Sequence, residues 1–358
     1  MTPPAQAAAP PARPQATPRR LGRGTLQFME PPRIVSAFTV VGPMEGKGPM
    51  GGYMDTTLED TFYGERCWER TESKMLREAV EQAIARAGLA EAEVDVALTT
   101  DLLNQCVGSS FAMRSVKVPH VGLFCACAGF ASGLALAASL VDGGFARRAV
   151  VGASSHHDAA ERQYRFPTEL GVQRPPTAQW TVTGAGAVVV AGDGAQGPVQ
   201  ITHATLGQVW DMGLKDPYDM GSAMVPAAAD TLVRHLHDTG RGVEAFDWIL
   251  TGDLGRVGSR ILLDWLKERH GVDIDGRHSD CGAMMYDPSR QDVHAGGSGL
   301  GASACVVAGY VFKAMARGLL NRVLLIGTGS LHSPTTHFQG ESIPVVAHAV
   351  CLERPGAR

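Results

Sequence analysis

Two stretches of this chain repeat each other. Residues 95–102, DVALTTDL, and residues 247–254, DWILTGDL, carry Asp, Leu, Thr, Asp and Leu in the same places. A longer match sets residues 125–157 over 300–332: Gly143 meets Gly318, Arg147 meets Arg322, Gly152 meets Gly327, Ser155 meets Ser330 and His157 meets His332. Between these pairs, apolar positions fall mostly on apolar positions. The first match is offset by 152 positions and the second by 175, so the second half carries an insertion of 23 between its two blocks. A chain built twice from one unit must fold into two like halves that bury a shared core. The boundaries that follow are a tail over 1–24, a first half over 25–198 and a second half over 199–358.

Each half has the same order of elements. In the first, apolar residues at helical spacing predict a helix over 73–89, which leads through Gly88 into a strand over 95–100. A short strand over 121–125 feeds a long helix of small residues that ends near Asp142-Gly143-Gly144. Strands over 149–154 and 184–192 follow. In the second half, helices over 223–238 and 259–270 flank the strand WILTG. A helix over 299–317 then leads to strands over 322–330 and 346–354. Strands alternating with helices imply mixed sheets covered by helices. A buried small-residue helix in each half, the two lying back to back, implies an α/β fold of five layers, αβαβα.

Composition narrows the function. The chain has 358 residues, 44 % hydrophobic and 19 % charged, as expected of a well-cored protein. Lys and Arg number 32 against 36 Asp and Glu, a formal net charge of −4, which gives no footprint for nucleic acid but leaves room for an anionic small ligand. Seven cysteines without a Cys-x-x-Cys pair predict reduced thiols rather than a zinc ribbon. Residues 121–141 are uncharged and just long enough to span a bilayer, yet they are so rich in Gly, Ala and Ser that a helix buried inside the protein is expected instead. The N-terminus shows no apolar core of a secretory signal. The Pro/Ala/Arg tail over 1–24 buries too little apolar area to fold.

The segment ACAGF (126–130), followed by SLVDGGFARRAVVGAS (139–154), resembles the thiolase fold when taken with the duplication and the strand VTGAGAVVV (182–190). The likeness is to condensing enzymes of the ketoacyl synthase III type. It implies that Cys127 stands where those enzymes carry an acyl-accepting nucleophile, at a helix N-terminus whose unpaired N–H groups favour a thiolate. It also implies a histidine after the strand DWILT and an asparagine opening the Gly-rich turn before helix 299–317. Gly252, Asp253 and Leu254 stand at the first place, and Gly296, Gly297, Ser298 and Gly299 at the second. An aspartate there would repel a thioester enolate. Longer motifs, ASSHHDAAERQYRFPTELG (153–171), DPYDMGSAMVPAAADT (216–231), LTGDLGRVGS (250–259) and HAGGSGLGASA (294–304), are similar to the stage V sporulation protein AD family over roughly residues 26–355. That resemblance implies a non-catalytic homodimer that binds dipicolinic acid, alone or with calcium, and uses no other cofactor. It further implies a peripheral place at the forespore inner membrane, beside membrane proteins of the stage V sporulation A operon.

Dipicolinate is a flat pyridine with two carboxylates, so a site for it needs donors at both ends and a wall for the ring. Cys127 either lines that slot or packs in the core. His156, His157, Arg162 and Arg165 share one polar loop, HHDAAERQYR, and either meet carboxylates or pair with Asp158, Glu161 and Glu169. His332, the repeat mate of His157, should face the same side. Asp101 and Asp253 are repeat mates at strand ends and either complete a calcium shell with Asn104 or cap the next turn. Asn104 would alternatively bond the ring nitrogen or a carboxylate. Ser298 lies in a glycine-dense turn that either presents backbone N–H groups to an anion or serves close helix packing. The rival reading is an enzyme with Cys127 as nucleophile and His156, His332 or His348 as base, and a third is a scaffold with no ligand.

Overall fold

A computed structural model describes residues 19–164, 173–192, 194–331 and 333–357. Ten strands carry the architecture. In the first half they are β1 (Arg33–Val41), β2 (Val96–Thr100), β3 (His120–Leu123), β4 (Arg148–Ser155) and β5 (Gly184–Ala191). In the second they are β6 (Val199–Leu206), β7 (Trp248–Thr251), β8 (His278–Asp280), β9 (Arg322–Ser330) and β10 (Val345–Glu353). The spatial order is β3-β2-β4-β5-β1 in one half and β8-β7-β9-β10-β6 in the other. Each order is first, fifth, fourth, second, third along its half. The senses agree as well: the three strands on one side run parallel, and the other two pairings are antiparallel. The duplication read from the sequence is therefore a duplication of topology. The halves meet where β1 pairs with β6, through only Ile34 with Val199 and Arg33 with Gln200.

Helices form the other layers. Helix α1 (Trp68–Arg86) covers the outer face of the first sheet, turning Met75, Leu76, Ala79, Val80 and Ala83 inward at helical spacing. Helix α2 (Gly129–Asp142) is the predicted small-residue helix, and it packs on β4 and β2 of its own half and on β9 and β10 of the other. It is a central layer and not a membrane span; no helix among the described residues is long and apolar enough to cross a bilayer. Helices α4 (Met220–Thr239) and α5 (Gly255–His270) cover the outer face of the second sheet. Helix α6 starts at Leu300–Cys305, passes through a π-helical stretch over Val306–Val311 and ends at Phe312–Ala316, lying against the first sheet and touching α2.

Small side chains make this central layer possible. A Cβ on Gly327 of β9 would stand 2.6 Å from the Cβ of Ala131 in α2, and one on Gly186 of β5 would stand 2.6 Å from the carbonyl oxygen of Ala304 in α6. Sheet and helix thus approach within a distance that a methyl group would prevent.

The structure departs from expectation in five places. Strands β1, β6 and β8 were not anticipated, since β1 and β6 lack a clean alternation and β8 spans three residues. The segment from His157 to Tyr164 is a helix, α3, where a loop was expected. Its polar residues are absorbed by neighbours rather than by water. Order also begins before residue 26: strand Arg19–Leu21 pairs with Thr25–Gln27, which pairs with β6 of the second half.

Gly186→Ala should lower stability by about 1–3 kcal/mol, because the clash is with backbone that cannot rotate away. Gly52→Ala, whose new Cβ would meet nothing within 4 Å, should leave stability unchanged. Urea midpoints of the two variants against the wild type check this.

Candidate functional site

The carboxyl ends of parallel strands are where α/β sheets leave space for ligands, and the chain uses that edge. After β3, residues 124–128 turn sharply into α2. Ala126 takes φ +43°, a left-handed conformation that a residue with a Cβ adopts only when its surroundings impose it. The constraint is β9. A Cβ on Gly329 would lie 2.7 Å from the carbonyl oxygen of Cys125 and 3.0 Å from the amide nitrogen of Ala128. This turn leaves Cys127 buried, directly before the first turn of α2.

A small pocket opens beside it, its roughly 450 Å³ of empty space shared with open solvent. Its apolar wall comes from Leu102 after β2, Phe124 and Ala126 before α2, Ala160 of α3 and Met220 at the start of α4. The polar groups are the Cys127 thiol and the hydroxyls of Tyr164, Thr181, Ser298 and Ser330. Ser298 precedes α6 and Ser330 ends β9, so both halves contribute. The Tyr164 hydroxyl donates to the carbonyl of Leu102, and the Ser330 hydroxyl lies 3.2 Å from the Met220 sulfur. No Lys, Arg or His is among the described lining residues.

The Cys127 thiol neighbours the carboxyl of Asp253 and favours its charged form. Asp253 is fully buried, and its two oxygens accept from the Gly299 N–H at 2.9 Å and the Thr328 hydroxyl at 2.7 Å. Burial raises its pKa from the ordinary 3.8 to about 7, against the opposing pull of the bonds from Thr328, Gly299 and Cys127. A carboxylate held against a thiol opposes the negative charge of a nucleophilic thiolate. The place where a neutral donor would be needed to polarise a thioester is thus taken by an acid that ties Cys127, β9 and the start of α6 together.

The remaining sequence candidates divide. Ser298 and Cys127 reach the cavity. Asp101, the repeat mate of Asp253, is buried and accepts from the N–H of Leu103 at 2.9 Å and of Ser109 at 2.7 Å, holding the turn that enters the short helix Val107–Met113. Backbone donors therefore occupy the carboxylate oxygens proposed for calcium. Asn104 is exposed, and its N–H donates to Gln163 at 3.3 Å. His156 is buried with Nε2 2.8 Å from the Thr61 carbonyl oxygen, and burial lowers its pKa. The His157 ring stacks on Trp180 with centroids 3.5 Å apart. Arg162 pairs with Glu69 at 2.5 Å and lies over the Trp68 ring. These three belong to the packing of α3 against its neighbours and do not line the cavity. Arg165 and His332 lie outside the described residues.

His348 does not face Cys127. Its Nε2 lies 3.3 Å from the sulfur of Cys125, and its Nδ1 accepts from the Gly207 N–H at 3.1 Å, so the ring proton sits on Nε2. It cannot accept a thiol proton there in that tautomer. His203, Cys351 and Glu353 place ligand-type atoms within 4.8 Å of one another. The positive charge they attract is already supplied by Arg241, 2.7 Å from Glu353, and Arg322, 3.2 Å away. The lining residues Tyr164, Thr181, Met220 and Ser330 were not anticipated. Of these, Ser330 alone carried a signal, as the repeat mate of Ser155 at a strand end.

Comparison with known proteins adds to this geometry. The profile of the stage V sporulation protein AD family matches residues 22–353. The stage V sporulation protein AD of Bacillus subtilis (strain 168) is 46 % identical over 335 residues, covering 94 % of this chain and 98 % of that protein. Among solved structures, the 3-oxoacyl-[acyl-carrier-protein] synthase III of Aquifex aeolicus VF5 superposes with a TM-score of 0.53 at 14 % identity, covering 90 % of this chain and 99 % of that one. The acetyl-CoA acetyltransferase of Syntrophomonas wolfei gives 0.55 at 12 % identity, covering 91 % and 99 %. At such identities these two carry the fold alone, and the fold is the thiolase-like one expected.

The state of Asp253 sets a pH dependence. Because its folded pKa is raised, its favourable contribution is complete below about pH 4 and is lost as pH rises through about 7. The stability of the wild type relative to Asp253→Asn should therefore fall across that window, by up to about 4 kcal/mol. Urea unfolding of both proteins at pH 4, 5.5, 7 and 8 measures the difference, and a flat difference would contradict the assignment.

Proposed function

Since this chain belongs to the stage V sporulation protein AD family, we propose that it is a non-catalytic receptor that holds dipicolinic acid, or its calcium chelate, in the cavity beside Cys127. It does so during sporulation, and it hands the ligand to membrane proteins of the stage V sporulation A operon for uptake into the developing spore. The observation that carries this reading is the buried Asp253, held by Gly299 and Thr328 beside Cys127. It turns an inherited nucleophile position into a pocket wall, with neither the histidine nor the asparagine of condensing chemistry beside it.

The cavity suits a flat ring. Phe124, Leu102 and Met220 supply apolar wall, Ser298 supplies a hydroxyl, and those of Thr181 and Ser330 would turn from Glu161 and Met220 to meet carboxylate oxygens. The reading assigns the counter-charge of the dianion to Arg165, which follows the lining residue Tyr164 in the chain, and to His332, two residues after Ser330. A homodimer is part of the reading. Strand β3 is an edge of its sheet, and Val121 and Phe124 around it are about half exposed, at 46 % and 50 %. A peripheral place at the forespore inner membrane, held by partner subunits, completes it.

The rival is an acyl transferase using Cys127, favoured by the place of that cysteine at the start of α2. The two readings part in one experiment. Titration calorimetry with dipicolinate, with and without calcium, should show saturable binding that excess isophthalate, which lacks the ring nitrogen, does not displace. Cys127→Ala should weaken that binding by about 1–3 kcal/mol, the worth of one polar contact. Mass spectrometry after incubation with acetyl-CoA should find Cys127 unmodified. A stable acyl adduct on Cys127 would install the enzyme reading instead.

A further inference from the structure

The molecule has a second large recess, on the outer face of the second half and remote in the chain from Cys127. It lies between α4, α5 and the segment 207–218 that connects β6 to α4, and its empty space, open to solvent, is about 890 Å³. Two indoles, Trp210 and Trp265, form its walls, with Met212, Pro226 and Val233 completing the apolar surface. The connecting segment is unusually apolar for an exposed stretch: Val209 is 62 % exposed, Met212 50 % and Leu214 39 %.

The charges of this groove are uneven. Asp230 and Arg234 pair with each other at 2.7 Å and cancel. The Arg269 guanidinium lies over the Trp265 ring, its carbon 3.7 Å from the centroid, and no carboxylate among the described residues lies within salt-bridge distance of it. His237 and His270 stand at the same rim. Nor does the backbone occupy these groups. Helix α4 ends at Gly240 and α5 at Gly271, both at φ +64°, and the amides that follow close back onto each helix's last carbonyls.

We propose that this groove is a binding site for planar aromatic carboxylates, the ring lodged against Trp210 and Trp265 and the carboxylate held by Arg269 with His270. Indole faces favour a flat π-system over a puckered ring of equal size. A guanidinium already stacked on an indole presents its N–H edge in the plane of a ring lying beside it, where it meets a carboxylate in the forked geometry that arginine favours. The site is separate from the cavity beside Cys127 and does not depend on a ring nitrogen.

The probe is isophthalate, titrated into the full chain while tryptophan emission is followed with excitation at 295 nm. Saturable quenching is expected, together with at least a tenfold loss of affinity in the variant carrying Arg269→Gln and His270→Gln, two exposed positions whose change leaves the fold intact. Trp265→Phe should remove most of the quenching amplitude. cis-1,3-Cyclohexanedicarboxylate, with the same charges on a puckered ring, should not compete. Cys127→Ala should leave isophthalate affinity unchanged, so failure of the groove and failure of the dipicolinate receptor reading are told apart. Absence of saturable quenching, full affinity in the double variant, or equal competition by the cyclohexane diacid would each overturn the proposal.

Discussion

Everything in this fold depends on backbone reaching backbone across its middle layer. Two sheets can clasp one pair of helices only if side chains vanish where strand meets helix. Gly327 and Gly329 let β9 rest on α2 and the turn before it, and Gly186 lets β5 rest on α6. Packing at that distance gathers dispersion contacts that any methyl group would forfeit. It also fixes the direction of both central helices, so that Cys127 before α2 and Ser298 before α6 open into one space. The site is thus a by-product of how the core closes, assembled from both copies of the repeat.

Within that space a single carboxyl decides the chemistry. Condensing reactions need the sulfur charged and the carbonyl oxygen met by neutral or positive donors. Asp253 supplies the opposite, an acceptor held by Thr328 and Gly299 beside the thiol. Its repeat mate Asp101 accepts from backbone amides in the matching turn of the first half. The two aspartates therefore share one ancestral structural task, holding the turn after the second strand of each half. In the second half that task also brings the carboxyl beside Cys127.

Much of the fold was legible because duplication is a strong constraint. Once DVALTTDL and DWILTGDL are aligned, each element found in one half asks for its mate in the other, and the helix over 299–317 and the strand over 322–330 fall where the structure has them. The strands that escaped notice had no such pairing in the sequence; β1 and β6 hold equivalent places in space without matching residues. The site was legible only in part. Cys127 and Ser298 stand in recognisable small-residue turns, whereas Tyr164 and Thr181 are single hydroxyls that no pattern distinguishes from thousands of others. His157 and Arg162 misled for a physical reason: an imidazole stacked on Trp180 and a guanidinium laid over Trp68 look in sequence just like groups waiting for an anion.

The seam between the halves is a different kind of feature. Two residue pairs, Ile34 with Val199 and Arg33 with Gln200, are all that β1 and β6 share. The halves are held together by the buried helix they clasp, with the ladder of hydrogen bonds adding little. Such a joint resists separation, because parting it exposes apolar surface, and it resists rotation, because closely fitted backbone leaves no room to slide. A pocket whose walls come from both halves then reports their relative angle. The shape of the site is therefore set by how the two halves sit against their shared helix layer.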